Sequence, residues 1–143
     1  MTRMILATPP KDVKHASPDE QARVRAMLWD ILPVSRRAGG LQHEAASIAN
    51  APGAAELKAI KTPTLLISAE NDLFGTYVAA QTIANQIPNA RFIGYPTGGH
   101  LLVGHQVEVW REVGGFIKEQ SKSKRGGKLH TPNVASLERA RLS

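Results

Sequence analysis

Cysteine is absent from the chain, which excludes a disulfide framework, a thiolate nucleophile and a zinc–thiolate site. No apolar run approaches the ~18 residues that a bilayer-spanning helix requires. The first ten residues, Met1 to Pro10, end in a double proline after only a few apolar side chains. That stretch is too short for the hydrophobic region of a secretory signal. No internal repeat is present. These absences lead to the expectation of a cytoplasmic protein without membrane contact.

The 143 residues leave room for one domain. Hydrophobic residues make up 42% and charged residues 21%, as in ordinary globular chains. The net charge is +6, and it is unevenly spread. Residues 120–143 carry Lys122, Lys124, Arg125, Lys128, Arg139 and Arg141 against Glu138 alone. The sequence pI near 10.0 therefore describes a tail and not the body. With so few apolar residues, the tail is expected to be disordered and solvated. It has no aromatic residues on which bases stack, so no specific nucleic-acid partner is expected.

Three parts follow from the pattern. Residues 1–60 read as a helical, cap-like segment. Pro9-Pro10 is expected to break any early element. Ser17-Pro18-Asp19-Glu20 is a helix start, with Ser17 as N-cap, Pro18 in the first turn and acids facing the helix dipole. Ala22, Val24, Met27, Leu28, Ile31 and Leu32 then form an apolar stripe that Pro33 ends. Arg36 to Gly40 is expected as a turn, and Ala45 to Ile48 as a short helix.

Residues 61–119 have a strand–helix–strand–helix rhythm, the pattern of a parallel α/β unit. Thr62 to Ala69 reads as a buried strand. Thr76 is expected to cap a helix carrying Val78, Ala79, Ala80, Ile83, Ala84 and Ile87, which Pro88 stops. Ala90 to Tyr95 reads as the second strand, followed by the glycine-rich loop Pro96 to His100. A closing helix is expected from about His105 to Glu119, with Val107, Val109, Trp110, Val113, Phe116 and Ile117 as its apolar set. Residues 120–143 are the basic tail.

In open parallel sheets, functional residues collect at the carboxyl ends of strands. Asp72 follows the first strand and His100 the second, one strand–helix–strand unit apart. Neighbouring strands lie about 4.8 Å apart, so the two side chains are within reach of each other. A carboxylate accepting from imidazole Nδ1–H fixes the tautomer and leaves Nε2 as a general base. Each residue also has a plain structural reading: Asp72 as a turn former and His100 as an ordinary loop histidine. His105 and Glu70 are the competing base and acid.

The segment "TPTLLISAENDLFGTYVAAQTIANQIPNARFIGYPTGGHLLVGH" resembles the last third of an α/β-hydrolase. "PTLLISAENDLFG" is similar to the family's acid loop, and "IPNARFIGYPTGGH" to its histidine loop. The resemblance implies that Asp72 is the triad acid and His100 the triad base, with no cofactor and no metal. Residues 17–50 are similar to the helical cap of esterase-, haloperoxidase- and C–C-hydrolase-like members. Met27, Leu28, Trp29 and Ile31 are then candidates to line an acyl pocket, although such a stripe also reads simply as core.

The family's nucleophile sits in a G-x-S-x-G elbow, and no serine of this chain has that context. An H-G-G-G-type oxyanion loop is also missing. The expected fold is therefore α/β, the C-terminal part of an α/β-hydrolase: two parallel strands, flanking helices and a cap remnant. The expected function is hydrolysis of a small ester, amide or activated carbonyl compound by a Ser-His-Asp mechanism in a full-length parent. This chain lacks the nucleophile half and alone is expected to show negligible esterase activity. The alternative is a non-catalytic remnant or partner-binding module. In either case the first strand is expected to expose an edge that invites pairing with another chain, including self-association.

Overall fold

The computed structural model describes residues 2–49 and 52–126. The expectation of disorder beyond Gly126 lies outside the described residues. From the N-terminus the chain forms α1 (Thr2–Ile5), α2 (Pro10–His15), α3 (Pro18–Ile31), a 3-10 turn (Val34–Arg37), α4 (Ala38–Ala49) and α5 (Ala54–Ala59). Then come β1 (Thr64–Ala69), α6 (Thr76–Gln86), β2 (Ala90–Tyr95), a second 3-10 turn (Gly99–Leu101) and α7 (Gln106–Gly126). The architecture is mixed α/β, and β1 and β2 form a parallel two-stranded sheet. Thr64 stands opposite Ala90 and Ala69 opposite Tyr95, so the two strands end level with each other.

Local chemistry explains most of these elements. Ser17 Oγ accepts from the Glu20 N–H at 3.3 Å, and Pro18 occupies the first turn of α3. Val24 of α3 is buried with Leu6 and Val103, and Leu28 and Ile31 pack against that cluster. Trp29, on the other side of α3, is 74% exposed. Helix α6 packs on both strands. Tyr77 meets Phe92 edge to face, with ring centres 5.3 Å apart. Gly94 permits this, because a Cβ there would lie 2.5 Å from the Tyr77 hydroxyl.

No element runs through Pro9-Pro10, since α1 ends at Ile5, and Pro10 in addition opens helix α2, because a proline in the first turn has no intrahelical N–H to lose. Several expectations are corrected. Arg36 to Gly40 is not a turn: Val34–Arg37 is a 3-10 turn that runs on into α4. Gly39 and Gly40 carry a propensity cost of about 1 kcal/mol each but do not forbid a helix. Val78 of α6 and Val107 and Trp110 of α7 are exposed rather than packed.

The described residues up to Trp110 belong to one compact unit, and those from Arg111 to Gly126 to a second. The described part of the second unit is the remainder of α7. That helix continues to Gly126, so residues 120–126, expected to be disordered, are helical. No proline or glycine interrupts residues 116–125. Gln and Lys are good helix formers, and the Ser121 hydroxyl donates to the Ile117 carbonyl at 2.9 Å. Among the described residues, no helix is long and apolar enough to cross a membrane.

Candidate active site

The loop after β1 is built around Asp72. Its N–H donates to the Ala69 carbonyl at 3.1 Å, and its own carbonyl accepts from Gly75 N–H at 3.0 Å. Gly75 has φ +69, a value that costs glycine little. Asp72 Oδ1 accepts from the Phe74 N–H at 2.9 Å, closing an Asx turn. The same carboxylate thus shapes its loop and presents Oδ2 towards β2.

His100 arrives from the other strand, where the chain turns sharply through Gly98 and Gly99. Its Nδ1 lies 2.9 Å from Asp72 Oδ2. An ionised carboxylate only accepts hydrogen bonds, so Nδ1 carries the proton. Nε2 has no partner among the described residues. The imidazole leans edge to face on Phe74, with ring centres 4.9 Å apart. The Asp72 side chain is 2% exposed and that of His100 46%, an arrangement of buried acid beneath accessible base.

Thr76 Oγ1 also donates to Asp72 Oδ2. Its proton is thereby committed, so the Ser68 hydroxyl, 3.0 Å away, donates to Thr76. Burial pushes the Asp72 carboxyl up. The hydrogen bonds from Thr76, His100 and the Phe74 N–H, with the His100 charge, outweigh it and hold the carboxyl below its ordinary value. Thr76 was expected as a helix cap; its hydroxyl instead serves the acid, and Gly75 takes the N-cap position.

The N-terminal segment ties the two loops together. The Ala7 carbonyl accepts from both Leu73 N–H (3.0 Å) and His100 N–H (3.3 Å). Thr8 is fully buried; its hydroxyl donates to the Leu6 carbonyl at 2.8 Å and accepts from Leu101 N–H at 3.2 Å. Asp12 Oδ2 accepts from Asn71 Nδ2 at 2.6 Å and from Gly98 N–H at 2.9 Å. Asn71 Oδ1 accepts from Gly99 N–H at 2.9 Å. Gly99 has φ +59, and a Cβ there would come within 2.6 Å of Thr8 Cα. Sequence reasoning missed Thr8, Asp12 and Asn71. Adjacency to Asp72 was a signal for Asn71, whereas Asp12 had none.

The competing residues lie elsewhere. His105 stacks on Tyr95 with ring centres 4.4 Å apart, and its Nε2 is 3.2 Å from Thr97 Oγ1. The Glu70 side chain is exposed, with no partner among the described residues. No three His, Asp or Glu side chains cluster as metal ligands among the described residues. No serine hydroxyl there is hydrogen-bonded to His100: Ser17 caps α3, Ser47 donates to the His43 carbonyl, and Ser68 serves Thr76.

A cleft of about 500 Å³ opens beside His100. Leu6, Met27, Ile31, Leu41, Phe74 and Leu101 supply apolar walls, and Asp30, Arg37 and Glu44 are its charged members. Of the four candidate pocket residues on α3, Met27 and Ile31 line it. Leu28 packs on the core cluster instead, and Trp29 faces solvent. The chain matches no known family model, no curated protein and no solved structure.

Proposed function

We propose that this chain carries the acid–base half of a Ser-His-Asp hydrolytic site of the α/β-hydrolase type, acting on a small ester, amide or activated carbonyl compound. The observation that carries the reading is the 2.9 Å contact between the buried Asp72 Oδ2 and the accessible His100 Nδ1. It leaves Nε2, on a ring that borders an apolar cleft, without a partner among the described residues.

In this reading the nucleophilic serine comes from a second polypeptide portion that precedes these residues in a longer parent. His100 Nε2 takes the serine proton as Oγ attacks the substrate carbonyl, and Asp72 stabilises the resulting imidazolium. The imidazolium then gives its proton to the leaving group, and an acyl-enzyme remains. Water, deprotonated by the same Nε2, releases the acid. Met27, Ile31 and Phe74 would hold the apolar part of the substrate. Without the serine and its oxyanion donors, the dyad retains only general-base help, about 10²–10⁴-fold.

The test begins at the source locus, read in all frames upstream of Met1 for a G-x-S-x-G elbow. The joined product is expected to hydrolyse a nitrophenyl ester, with turnover reduced about 10³-fold or more by His100→Ala. Unrelated sequence upstream, or turnover that survives His100→Ala, overturns the reading. The second reading, a non-catalytic module that binds through its sheet, is favoured by one observation: among the described residues, nothing pairs with the outer edge of β1.

A further inference from the structure

Strands of parallel sheets are ordinarily covered on both faces and flanked by neighbours; among the described residues, β1 is not. The N–H groups of Thr64 and Glu70 donate to the carbonyls of Asn89 and Tyr95, at 3.1 and 2.8 Å. Even-numbered residues of this stretch therefore turn their backbone polar groups towards β2. Alternation along the strand turns those of Leu65 and Ile67 to the opposite edge. No described residue is hydrogen-bonded to them there. The side chains of Leu65, Leu66 and Ile67 are only half-buried. The usual edge protections, a charge, a proline or a bulge, are missing within Thr64–Ala69.

The ends of the strand are charged with opposite sign. Exposed Lys58 and Lys61 precede it and exposed Glu70 follows it. A parallel partner of the same sequence would set lysine beside lysine. An antiparallel one sets the cationic entry of each strand beside the anionic exit of the other, at both ends.

We propose that β1 pairs antiparallel with β1 of a second copy of this chain about a twofold axis. Leu65 of each copy exchanges both N–H···O bonds with Ile67 of the other. The register is marked by two backbone facts. Pro63 has no N–H to donate, and in this register it falls opposite Ala69, whose carbonyl already accepts from Asp72 N–H. The missing donor thus meets an acceptor already in use. The pairing extends the two-stranded sheet to four strands and covers the unprotected edge. It is independent of whether Asp72 and His100 are catalytic.

Sedimentation velocity of the full chain tests it, with circular dichroism to show that each variant is folded. At about 100 μM a dimer is expected, as for any Kd tighter than ~10 μM. Lys61→Glu and Glu70→Lys each place like charges at both ends of the pairing, and each is expected to weaken self-association about tenfold or more. A one-to-one mixture of the two variants restores opposite charges at both ends and is expected to recover the dimer. A monomeric wild-type chain, a dimer indifferent to both substitutions, or a mixture no tighter than either variant alone overturns the proposal.

Discussion

The junction at the strand ends and the helical arm of residues 34–49 and 52–59 are held together in different ways. At the junction, Asp12, Asn71, Asp72, Gly98, Gly99 and His100 are joined by hydrogen bonds that span up to 93 residues of chain once Thr8 and Leu101 are included. Leu6, Ala7, Thr8 and Asp72 are buried there. In the arm, the side-chain hydrogen bonds are short in sequence: Arg37 to the Asp30 carbonyl, Ser47 to the His43 carbonyl, and the Glu56 carboxylate to Gly53 N–H. Leu57 is buried, whereas Leu41 is half exposed. Buried polar networks resist change because each lost partner strands another group away from water. Exposed helices are held by turn-by-turn bonds and tolerate substitution. Geometry needed to about half an ångström therefore belongs at the junction.

Asp72→Ala strikes the junction hardest. It removes the acceptor of Thr76, His100 and Phe74 N–H, and a loss of about 3 kcal/mol is expected in urea unfolding at neutral pH. The pH profile gives the sign. A carboxyl held below its ordinary value contributes fully above the usual carboxylate range, about pH 4, and loses that contribution as pH falls through its lowered folded value. The gap between wild type and Asp72→Ala is therefore expected to be widest at neutral pH and to close in acid. A gap independent of pH would deny the carboxylate its role in the junction.

Thr8→Val is nearly isosteric and leaves Leu101 N–H without its acceptor. A cost of about 1–3 kcal/mol is expected from the same measurement. The arm should respond in the opposite direction. A Cβ on Gly39 or Gly40 meets nothing within 4 Å, so Gly40→Ala is expected to stabilise α4 by about 0.5–1 kcal/mol. Destabilisation by Gly40→Ala would show that the arm is packed more tightly than its exposure indicates, and the contrast would fail.

The same contrast explains what was legible in the sequence. Ser17-Pro18, the two strands and the placement of Asp72 and His100 follow local rules: capping, apolar runs and strand-end topology. Those rules alone place the pair at one edge of the sheet. Asp12 was invisible because its partners Asn71 and Gly98 are 59 and 86 residues away, and a lone aspartate in a short helix carries no sign of them. Thr76 misled because the same residue type caps helices and donates to carboxylates. Gly39 and Gly40 misled because a glycine pair marks a turn only when nothing else continues the helix. The exposure of Val78, Val107 and Trp110 was hidden because spacing identifies an apolar face without saying what covers it.

The Ala7 carbonyl holds the amide of Leu73 and the amide of His100 together, at a residue with φ +42, a left-handed conformation that alanine adopts at a cost of about 1–2 kcal/mol. Leu73 is the immediate neighbour of the acid, and His100 is the base. A displacement of that carbonyl therefore pulls on both loops at once, through one shared acceptor. The two residues of the acid–base pair, which meet at Asp72 Oδ2 and His100 Nδ1, thus share one backbone anchor far from either in sequence.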